Sequence, residues 1–409
     1  MAQREDNRRQ ILTFLRVRGP LTQANLARLT GLSPSTVSTI VAELQASGTV
    51  KSVEDPNPRK KVGRPGSLIA LDPSVGAFVG IDIEHERFMV LVADAAHNVL
   101  AEERRPLQRD HDAGLVMALV AELLDDLAAK AGVDRDRLSG AGVGLAGPIN
   151  LATGQIHPSS VAMSWRFVDV RKDLGELLDL PVYLDNDANL GALAEMTWGA
   201  GRGVSEAAYI KADIGVGAAL VLGGQIHRGA AGIAGEIGHS TIDDNGPVCR
   251  CGNRGCLEGF IGENALLDSL RPRYRPDLTF DEVVALAQDG DVVCRRVIAD
   301  AGRLLGLQVA GLCNLLNPSR IIVGGSLATA GEILLEPIRT AIEQRALPEA
   351  AGTVDVVPAE LGDRAIALGG VALAMRQAGT LGLHPEGETR ADRERGSTRM
   401  TAGLPLRGG

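Results

Sequence analysis

The stretch GEIGH at residues 235–239, followed by CRCGNRGCLE at residues 249–258, is the most informative part of the sequence. One imidazole and three thiols close together are the ligand set of a closed tetrahedral Zn²⁺ site. Glycines within the second segment permit the sharp turns that direct nearby thiolates inwards. We therefore predict a structural zinc knuckle over residues 239–256, held by His239, Cys249, Cys251 and Cys256. The alternative is a surface loop with three free thiols.

The composition around this stretch indicates a cytoplasmic globular protein. Five cysteines in 409 residues do not make a disulfide framework, and Cys294 and Cys313 lie in apolar helical patterns typical of a core. A content of 45% apolar residues excludes a disordered chain, and the 50 glycines have no three-residue period that would indicate collagen. No secretory leader opens the chain, and the uncharged run at 139–165 is interrupted by Gly-Pro and His-Pro pairs, so we expect no membrane span.

Strand and helix patterns alternate on both sides of the knuckle. Long apolar helices are predicted at 115–131 and 294–316, and strands at 76–83, 87–93, 140–145, 182–184, 209–222, 321–325 and 354–357. Such alternation is typical of an α/β fold in which two similar layers flank a cleft.

Charge is distributed unevenly along the chain. Of 42 basic and 51 acidic residues, 11 and 5 fall within residues 1–66, so this segment carries a net charge of +6 and the remainder −15. A small basic segment joined to a larger acidic body is typical of a module that binds a polyanion.

The basic segment has the pattern of a helix-turn-helix. Three short helices are indicated; Thr22 can cap the second, which ends at Gly31, and Ser33-Pro34 begins the third. The third helix buries an apolar stripe of Val37, Ile40, Val41 and Leu44. Its other face is suited to base edges and phosphates, and we predict DNA contacts from Ser35, Thr36, Ser38 and Thr39.

Two short strands around a basic loop predict a wing after the third helix. The strands are expected at 49–53 and 67–71, and an arginine flanked by Gly and Pro can enter a minor groove. We predict that the loop contacts DNA through Arg59, Lys60, Lys61 and Arg64. The alternative is a three-helix protein-interaction module with a solvated tail.

Residues 76–380 resemble the ROK (repressor, open reading frame, kinase) family. The knuckle with its GEIGH segment is close to the family signature, DNDAN at 185–189 matches its sugar-site loop, and GLAGP at 144–148 matches an earlier turn. The N-terminal winged helix resembles the regulator branch, of the xylose-repressor and N-acetylglucosamine-repressor type. The resemblance implies an actin-like, two-lobed sugar-kinase ATPase-type fold with a sugar pocket lined by Asn186, Asp187, Glu236, His239 and Glu258. By its residues alone, Asp187 is equally typical of a turn.

The phosphate-binding loops depart from the kinase pattern that the resemblance supplies. Kinase members carry Asp-x-Gly-Gly-Thr after the first strand, whereas Asp82 is followed here by IEHER; the second loop has Asp213 and Ile214 where Thr is usual. Each carboxylate about 4 Å from a phosphate oxygen costs on the order of 4 kcal/mol at an effective dielectric of 20. We therefore expect no catalysis, although Asp187 stands at the position of the kinase base.

These observations together predict a sugar-responsive repressor of carbohydrate genes. We expect a homodimer or a dimer of dimers that binds an inverted repeat and is released by a sugar. Two alternatives remain, an active sugar kinase with a DNA-binding head and a sugar-independent repressor controlled by a protein partner. The expected division is a winged helix-turn-helix domain at 1–66, a linker at 67–75, a sugar-binding and dimerisation domain at 76–380, and a disordered tail at 381–409.

Overall fold

The computed structural model describes residues 20–46, 48–54, 67–72, 76–108, 111–150, 153–156 and 168–378, with scattered positions between 4 and 15 and with Trp165. The predicted wing residues Arg59, Lys60, Lys61 and Arg64 lie outside the described residues, as do the end of the first helix at Gly19 and the tail. Within the described ranges, no helix has both the length and the apolarity needed to cross a membrane.

The N-terminal unit is a small helical head with a three-stranded sheet. Helices α1 (Gln23–Thr30) and α2 (Pro34–Ala46) pack beside strands β1 (Leu21–Thr22), β2 (Val50–Val53) and β3 (Leu68–Leu71). Strands β2 and β3 pair antiparallel, as predicted for the wing, and β1 pairs with the other edge of β3, which the sequence did not indicate.

The predicted caps and stripe of the head are confirmed. Asn25 donates its backbone N–H to Thr22 Oγ1, and Gly31 ends α1 with φ of 70°. At the start of α2, Thr36 donates its backbone N–H to Ser33 Oγ at 3.1 Å. The core contains the predicted stripe together with residues of the first helix and the wing, namely Ile11, Leu12, Leu15, Leu26, Val37, Ile40, Val41, Leu44, Val50, Ile69 and Leu71.

Two five-stranded sheets of equal topology form the body. The first has the order β10-β7-β4-β5-β6. Its strands are β4 (Ala77–Ile83), β5 (Arg87–Asp94), β6 (Val99–Pro106), β7 (Leu138–Leu145) and β10 (Val182–Asn186), while β8 (Ile149–Asn150) and β9 (Gln155–Ile156) form a separate ribbon. Helices α3 (Ala113–Ala131) and α4 (Val170–Leu178) cover this sheet, and their side chains share its core.

The second sheet repeats this arrangement with the order β13-β12-β11-β14-β15. Its strands are β11 (Ala207–Ala212), β12 (Val216–Leu222), β13 (Gln225–His227), β14 (Arg320–Gly324) and β15 (Asp355–Pro358). The prediction of one strand over 209–222 is wrong, because residues 213–215 turn the chain back and β11 pairs antiparallel with β12. The helices here are α6 (Glu258–Ile261), α7 (Glu263–Leu270), α8 (Phe280–Gln288), α9 (Val292–Leu316), α10 (Glu332–Arg345) and α11 (Pro348–Ala351).

Helices α5 (Asp187–Trp198) and α12 (Ala365–Gln377) join the two halves of the body. Leu190 and Leu193 of α5 pack with α12 against the first sheet, whereas Ala188 and Ala192 pack against the second. Helix α12 lies so close to the first sheet that a Cβ on Gly142 would sit 2.0 Å from the carbonyl oxygen of Gly370. Glycine is therefore required there, and α5 lies at the junction of the two sheets.

Candidate functional site

A cavity open to solvent lies where the carboxyl end of β10 meets the loops of the second sheet. All five residues predicted to bind sugar line it: Asn186, Asp187, Glu236, His239 and Glu258. They come from the N-terminus of α5, a short 3₁₀ turn at Ile237–His239, and the start of α6. Residues more than 70 positions apart in sequence are thus brought to one site.

Asn186 and Asp187 are positioned by the start of helix α5. Asn186 caps the helix, because its Oδ1 accepts the backbone N–H groups of Ala188 and Asn189. Its Nδ2 donates to the carbonyl of Gly147 at 3.1 Å, which attaches the predicted GLAGP turn to the same helix. The turn-forming role considered for the Asn-Asp pair is therefore filled by Asn186, and Asp187 is left to face the cavity.

Glu236 faces the cavity beside other carboxylates. Burial, followed by the nearby charges of Asp187 and Glu258, raises the pKa of Glu236 to about 7. Its Oε2 lies 3.8 Å from Nε2 of His239. A carboxyl group that is partly protonated near neutral pH can both donate to and accept from a hydroxyl group.

Glu258 and Arg250 form the outer wall of the cavity. Glu258 Oε2 accepts the backbone N–H of Val216 at 3.1 Å, and its Oε1 lies 3.1 Å from Nε of Arg250. Arg250 also reaches Nε2 of His85 at 2.9 Å, across from the loop between β4 and β5. Burial and then the charge of Arg250 lower the pKa of His85 to about 4, so its neutral ring accepts this hydrogen bond.

The loop between β4 and β5 stands where kinase members of the family carry the glycines of the first phosphate site. This loop brings Glu84 into the cavity. Glu84 is 5% exposed and forms ion pairs with Lys211 and Arg87. Glu86 does not line the cavity, so only one of the two extra carboxylates expected there takes part. Asp82 is buried behind the loop, and burial followed by the charge of Glu84 raises its pKa well above the usual value.

Asp213, in the turn between β11 and β12, is held by several polar contacts within the protein. Its Oδ1 accepts the N–H of Ile214 at 2.8 Å, and its Oδ2 accepts the N–H of Ser326 at 3.1 Å. Arg87 Nη2 lies 3.0 Å from the same Oδ2, and the carbonyl of Gly215 accepts the N–H of Asp213 at 3.2 Å. One amide of the second loop and one that follows β14 are therefore bound to the protein's own carboxylate.

Lys211 is the residue of the site that sequence reasoning missed. Its Nζ lies 2.7 Å from Asp187 Oδ2 and 2.9 Å from Glu84 Oε1, and its side chain is 6% exposed. Burial opposes the charge of Lys211, but Asp187 and Glu84 outweigh burial and hold its pKa well above the usual value. A lone lysine in an apolar strand gives no signal of this role, because its partners come from other segments.

The knuckle brings together the four predicted metal ligands, with all ligand atoms within 4.8 Å of one another. Cys249 Sγ lies 3.6 Å from Nδ1 of His239, and Cys251 Sγ lies 3.7 Å from Sγ of Cys256. At a metal–sulfur distance of about 2.3 Å, neighbouring ligands of a tetrahedral site are separated by nearly this amount. The donors therefore fit a tetrahedral metal ion, with the other nitrogen of His239 turned towards Glu236.

The remaining predicted site residues are distributed as follows. Ser35, Ser38 and Thr39 are exposed on α2, and Thr36 is partly exposed on the same helix. Three residues beyond the GLAGP turn, Ser159, Ser160 and Trp165, are further candidates from the sequence for pocket specificity. Trp165 is instead 2% exposed in the core of the first sheet, and Ser159 and Ser160 lie outside the described residues. Cys294 and Cys313 are buried core residues, as expected.

Comparison with known proteins identifies the family. A model of the ROK family matches residues 78–377, and a model of the MarR family matches residues 5–61. The chain belongs to the ROK family. Its fold is a MarR-like helix-turn-helix domain followed by the actin-like sugar-kinase fold of ROK proteins, as predicted.

Relatives of this ROK protein include both repressors and a kinase. A xylose repressor of Caldicellulosiruptor bescii is 31% identical over 368 residues, covering 87% of this chain and 92% of that protein. A glucokinase of Halalkalibacterium halodurans is 32% identical over 315 residues, covering 73% of this chain and 95% of that protein. A solved ROK family transcriptional regulator, described as a homologue of the E. coli Mlc protein, aligns with a TM-score of 0.76 at 25% identity over 94% of this chain and 98% of that one.

Proposed function

We propose that this ROK protein is a sugar-responsive, DNA-binding transcriptional regulator, a repressor that a sugar releases from its operator. The observation that carries the proposal is the combination of a winged head with a cavity that all five sugar-side residues line and whose phosphate-side residues bind one another. Similarity to the xylose repressor extends over head and body, whereas similarity to the glucokinase covers 73% of the chain.

The absence of kinase activity is part of this proposal. Asp187, at the position of the kinase base, is occupied by an ion pair with Lys211. Asp213 binds the amide of Ile214 in the second phosphate loop and the amide of Ser326 after β14. ATP would have to displace these contacts and lie beside Glu84, so we propose that no residue of the site is catalytic.

The sugar would bind between Asn186 and Asp187 on one side and Glu236, His239 and Glu258 on the other. Carboxyl and imidazole groups can form paired hydrogen bonds with the vicinal hydroxyls of a sugar. An analogue that lacks one of these hydroxyls leaves a polar group of the site without a partner, so the site rejects it. Zn²⁺ is the proposed metal of the knuckle, where three thiolates and one imidazole leave no open position, so its role is to hold the loop that carries His239.

DNA would be bound by two heads of a homodimer in the cytoplasm, on an inverted repeat. The exposed hydroxyls on α2 support its entry into the major groove, and the basic loop of the wing supports a minor-groove contact. We keep the division into residues 1–66, 67–75, 76–380 and 381–409 as part of the proposal. The helix-turn-helix pattern of the described head favours this over a protein-interaction module.

Helix α5 offers a route from the pocket to the head. It begins at Asp187 in the cavity and ends at Trp198, whose Nε1–H donates to Nδ1 of His97 at 2.9 Å. His97 has φ of 72° in the turn between β5 and β6, and its neighbour Ala96 packs against the core of the head. A sugar that binds the closed cleft better than the open one would shift the equilibrium towards the closed state, and this turn would pass the change on to the head. The shift can be no larger than the difference between the sugar's affinities for the two states.

The test is a mobility-shift assay on DNA upstream of the protein's own and neighbouring genes, with a panel of sugars. Glu236→Ala, which removes the polar group altogether, should abolish the sugar effect and leave DNA affinity unchanged. A variant that still answers sugar normally would contradict the pocket assignment. Sugar-dependent ATP consumption by the purified chain would establish the kinase alternative, which the glucokinase relative keeps open. Calorimetry that detects no binding of any sugar, while operator binding is intact, would favour control by a protein partner.

A further inference from the structure

The cavity wall beside Asp187 carries cations that are already shared between carboxylates. Lys211 Nζ contacts both Asp187 and Glu84, at 2.7 and 2.9 Å. Arg87 lies behind it and forms ion pairs with Glu84 and Asp213. Burial would raise the pKa of Glu84, but these cations outweigh it and lower the pKa to about 2, so Glu84 is ionised at neutral pH.

The opposite wall of the cavity also combines carboxyl groups with a cation that is already paired. Glu236 and Glu258 face Asp187, and Arg250 is paired with Glu258 at 3.1 Å. Across the whole cavity, five carboxyl groups stand against two cationic side chains, and both cations have carboxylate partners; the carboxyl groups belong to Glu84, Asp187, Asp213, Glu236 and Glu258.

Backbone donors that serve phosphate in a glycine-rich loop are also occupied here. The N–H of Val216 donates to Glu258 Oε2 at 3.1 Å. The N–H groups of Ile214 and Ser326 donate to the two oxygens of Asp213, at 2.8 and 3.1 Å. Side-chain carboxylates thus hold the positions at which an anionic ligand would accept hydrogen bonds.

We infer that the effector is a non-anionic saccharide, an uncharged sugar or a protonated amino sugar, and that Glu84 and Asp213 reject phosphorylated and carboxylated sugars. The inference rests on the proposed function and narrows its ligand class. A phosphate on a sugar held at Asp187 would meet ionised Glu84 on one side or Glu258, which is already paired with Arg250, on the other. Hydroxyl and ammonium groups can donate to these same carboxylates. Because like charges repel strongly in a partly desolvated site, the phosphate group itself, and not the sugar ring, should make a sugar phosphate bind more weakly than the free sugar.

The experiment is isothermal titration calorimetry of the full chain with matched pairs of ligands. The pairs are glucose with glucose 6-phosphate and N-acetylglucosamine with N-acetylglucosamine 6-phosphate, with xylose and glucosamine as further probes. For the pair whose sugar binds, we expect the free sugar to bind at least about 10-fold more tightly than its phosphate, a difference of about 1.4 kcal/mol. A smaller ratio, or tighter binding of the phosphate, would overturn the inference. No binding by any probe, with operator binding intact, would contradict sugar control itself.

Two variants test the residues assigned to this discrimination. Glu84→Gln and Asp213→Asn each remove one negative charge with little change of shape, and we expect the ratio between sugar and phosphate to fall several-fold in both. Glu86→Gln, in the same loop but outside the cavity lining, is the matched control and should keep the wild-type ratio. If either variant does not fold, as judged by thermal denaturation, the other decides; an unchanged ratio in a folded variant contradicts the role of its residue.

Discussion

At the scale of single residues, the charge of Glu84 links the cavity to the stability of the body. Its pKa of about 2 in the folded protein lies below the usual value of 4.5, because Lys211 and Arg87 outweigh the effect of burial. A carboxyl group with a lowered pKa binds fewer protons in the folded state than in the unfolded state. It therefore contributes stability above about pH 4.5 and loses this contribution as the pH falls towards 2.

We expect Glu84→Gln to lower the free energy of unfolding near pH 7, with a pH-dependent part of at most about 3 kcal/mol, since one pKa unit corresponds to about 1.4 kcal/mol. The difference between wild type and variant should shrink between about pH 4.5 and pH 2. Urea unfolding followed by circular dichroism at several pH values measures it. Glu86→Gln is the control, and a difference that stays constant with pH would contradict the ionised state of Glu84.

Residue-level prediction from sequence succeeded where one segment carries the signal. The spacing of Cys249, Cys251 and Cys256 was enough to predict that their thiols cluster, because a short loop can bring them together in few ways. The ion pairs of the cavity were not predictable in this way. Arg87 and Asp213 are 126 positions apart, and nothing in either segment indicates the other until the two sheets meet.

At the scale of elements, the knuckle has little regular secondary structure. Between His239 and Cys256 the described chain forms only two isolated β-bridges, Thr241 with Cys256 and Val248 with Arg254. Turn-type backbone hydrogen bonds, such as that from the N–H of Cys249 to the carbonyl of Asn253 at 2.7 Å, hold the loop that carries a wall of the cavity. Metal binding free energy becomes folding free energy in a loop of this kind.

We expect Cys251→Ser to reduce bound zinc from about one ion per chain to well below one, and to weaken sugar binding by loosening His239 and Glu258. Metal analysis by mass spectrometry, together with calorimetry, measures both effects. Cys313→Ala is the matched control, because Cys313 is buried in α9 away from the knuckle and should lose stability without losing zinc. Full zinc content in Cys251→Ser would contradict the ligand assignment.

Helix α5 is the second element whose role can be tested. Trp198→Phe keeps an aromatic ring at the contact with His97, now 4.8 Å between ring centroids, but removes the indole N–H that donates to it. We expect unchanged sugar affinity and unchanged operator affinity, with a several-fold smaller effect of sugar on DNA binding. Fluorescence anisotropy of labelled operator with and without sugar measures this. His111, which contacts Trp165 in the first sheet, offers the control variant His111→Gln; a normal sugar effect in Trp198→Phe would exclude this route.

Element prediction was accurate for periodic segments and failed at turns. The stripe of α2 follows directly from helical spacing, because its buried side chains recur on one face. The strand predicted over 209–222 was wrong because β11 and β12 are both apolar, and the turn at Asp213–Gly215 between them looks like a continuation of the run. An apolar run predicts that a segment is buried more reliably than it predicts where the chain reverses.

At the scale of the whole molecule, two halves of like topology share the helices between them. The sheets have equivalent orders, and α5 packs its two faces against one sheet each. A helix buried on all sides has no amphipathic stripe, so the sequence of α5 alone does not indicate which sheets it joins. The alternation of strands and helices predicted two similar α/β layers, the family signature predicted the actin-like arrangement, and the head was predictable from its own caps, stripe and charge.

The uneven charge of the molecule leads to a prediction that distinguishes a dimer from a single chain on DNA. The body is acidic, so phosphate contacts must come from the basic head, and operator affinity should fall steeply with salt. Each phosphate contact contributes about −0.9 to the slope of log affinity against log salt concentration. Lys60→Ala removes one contact per head, so two heads on an inverted repeat should reduce the steepness by about 1.8, and one head by about 0.9.

Anisotropy titrations over a range of salt concentrations measure the slope. Lys130→Ala, at the end of α3 in the body, is the matched control and should leave the slope unchanged. A change of about 0.9 would contradict binding by two heads, and no change would contradict the wing contact itself.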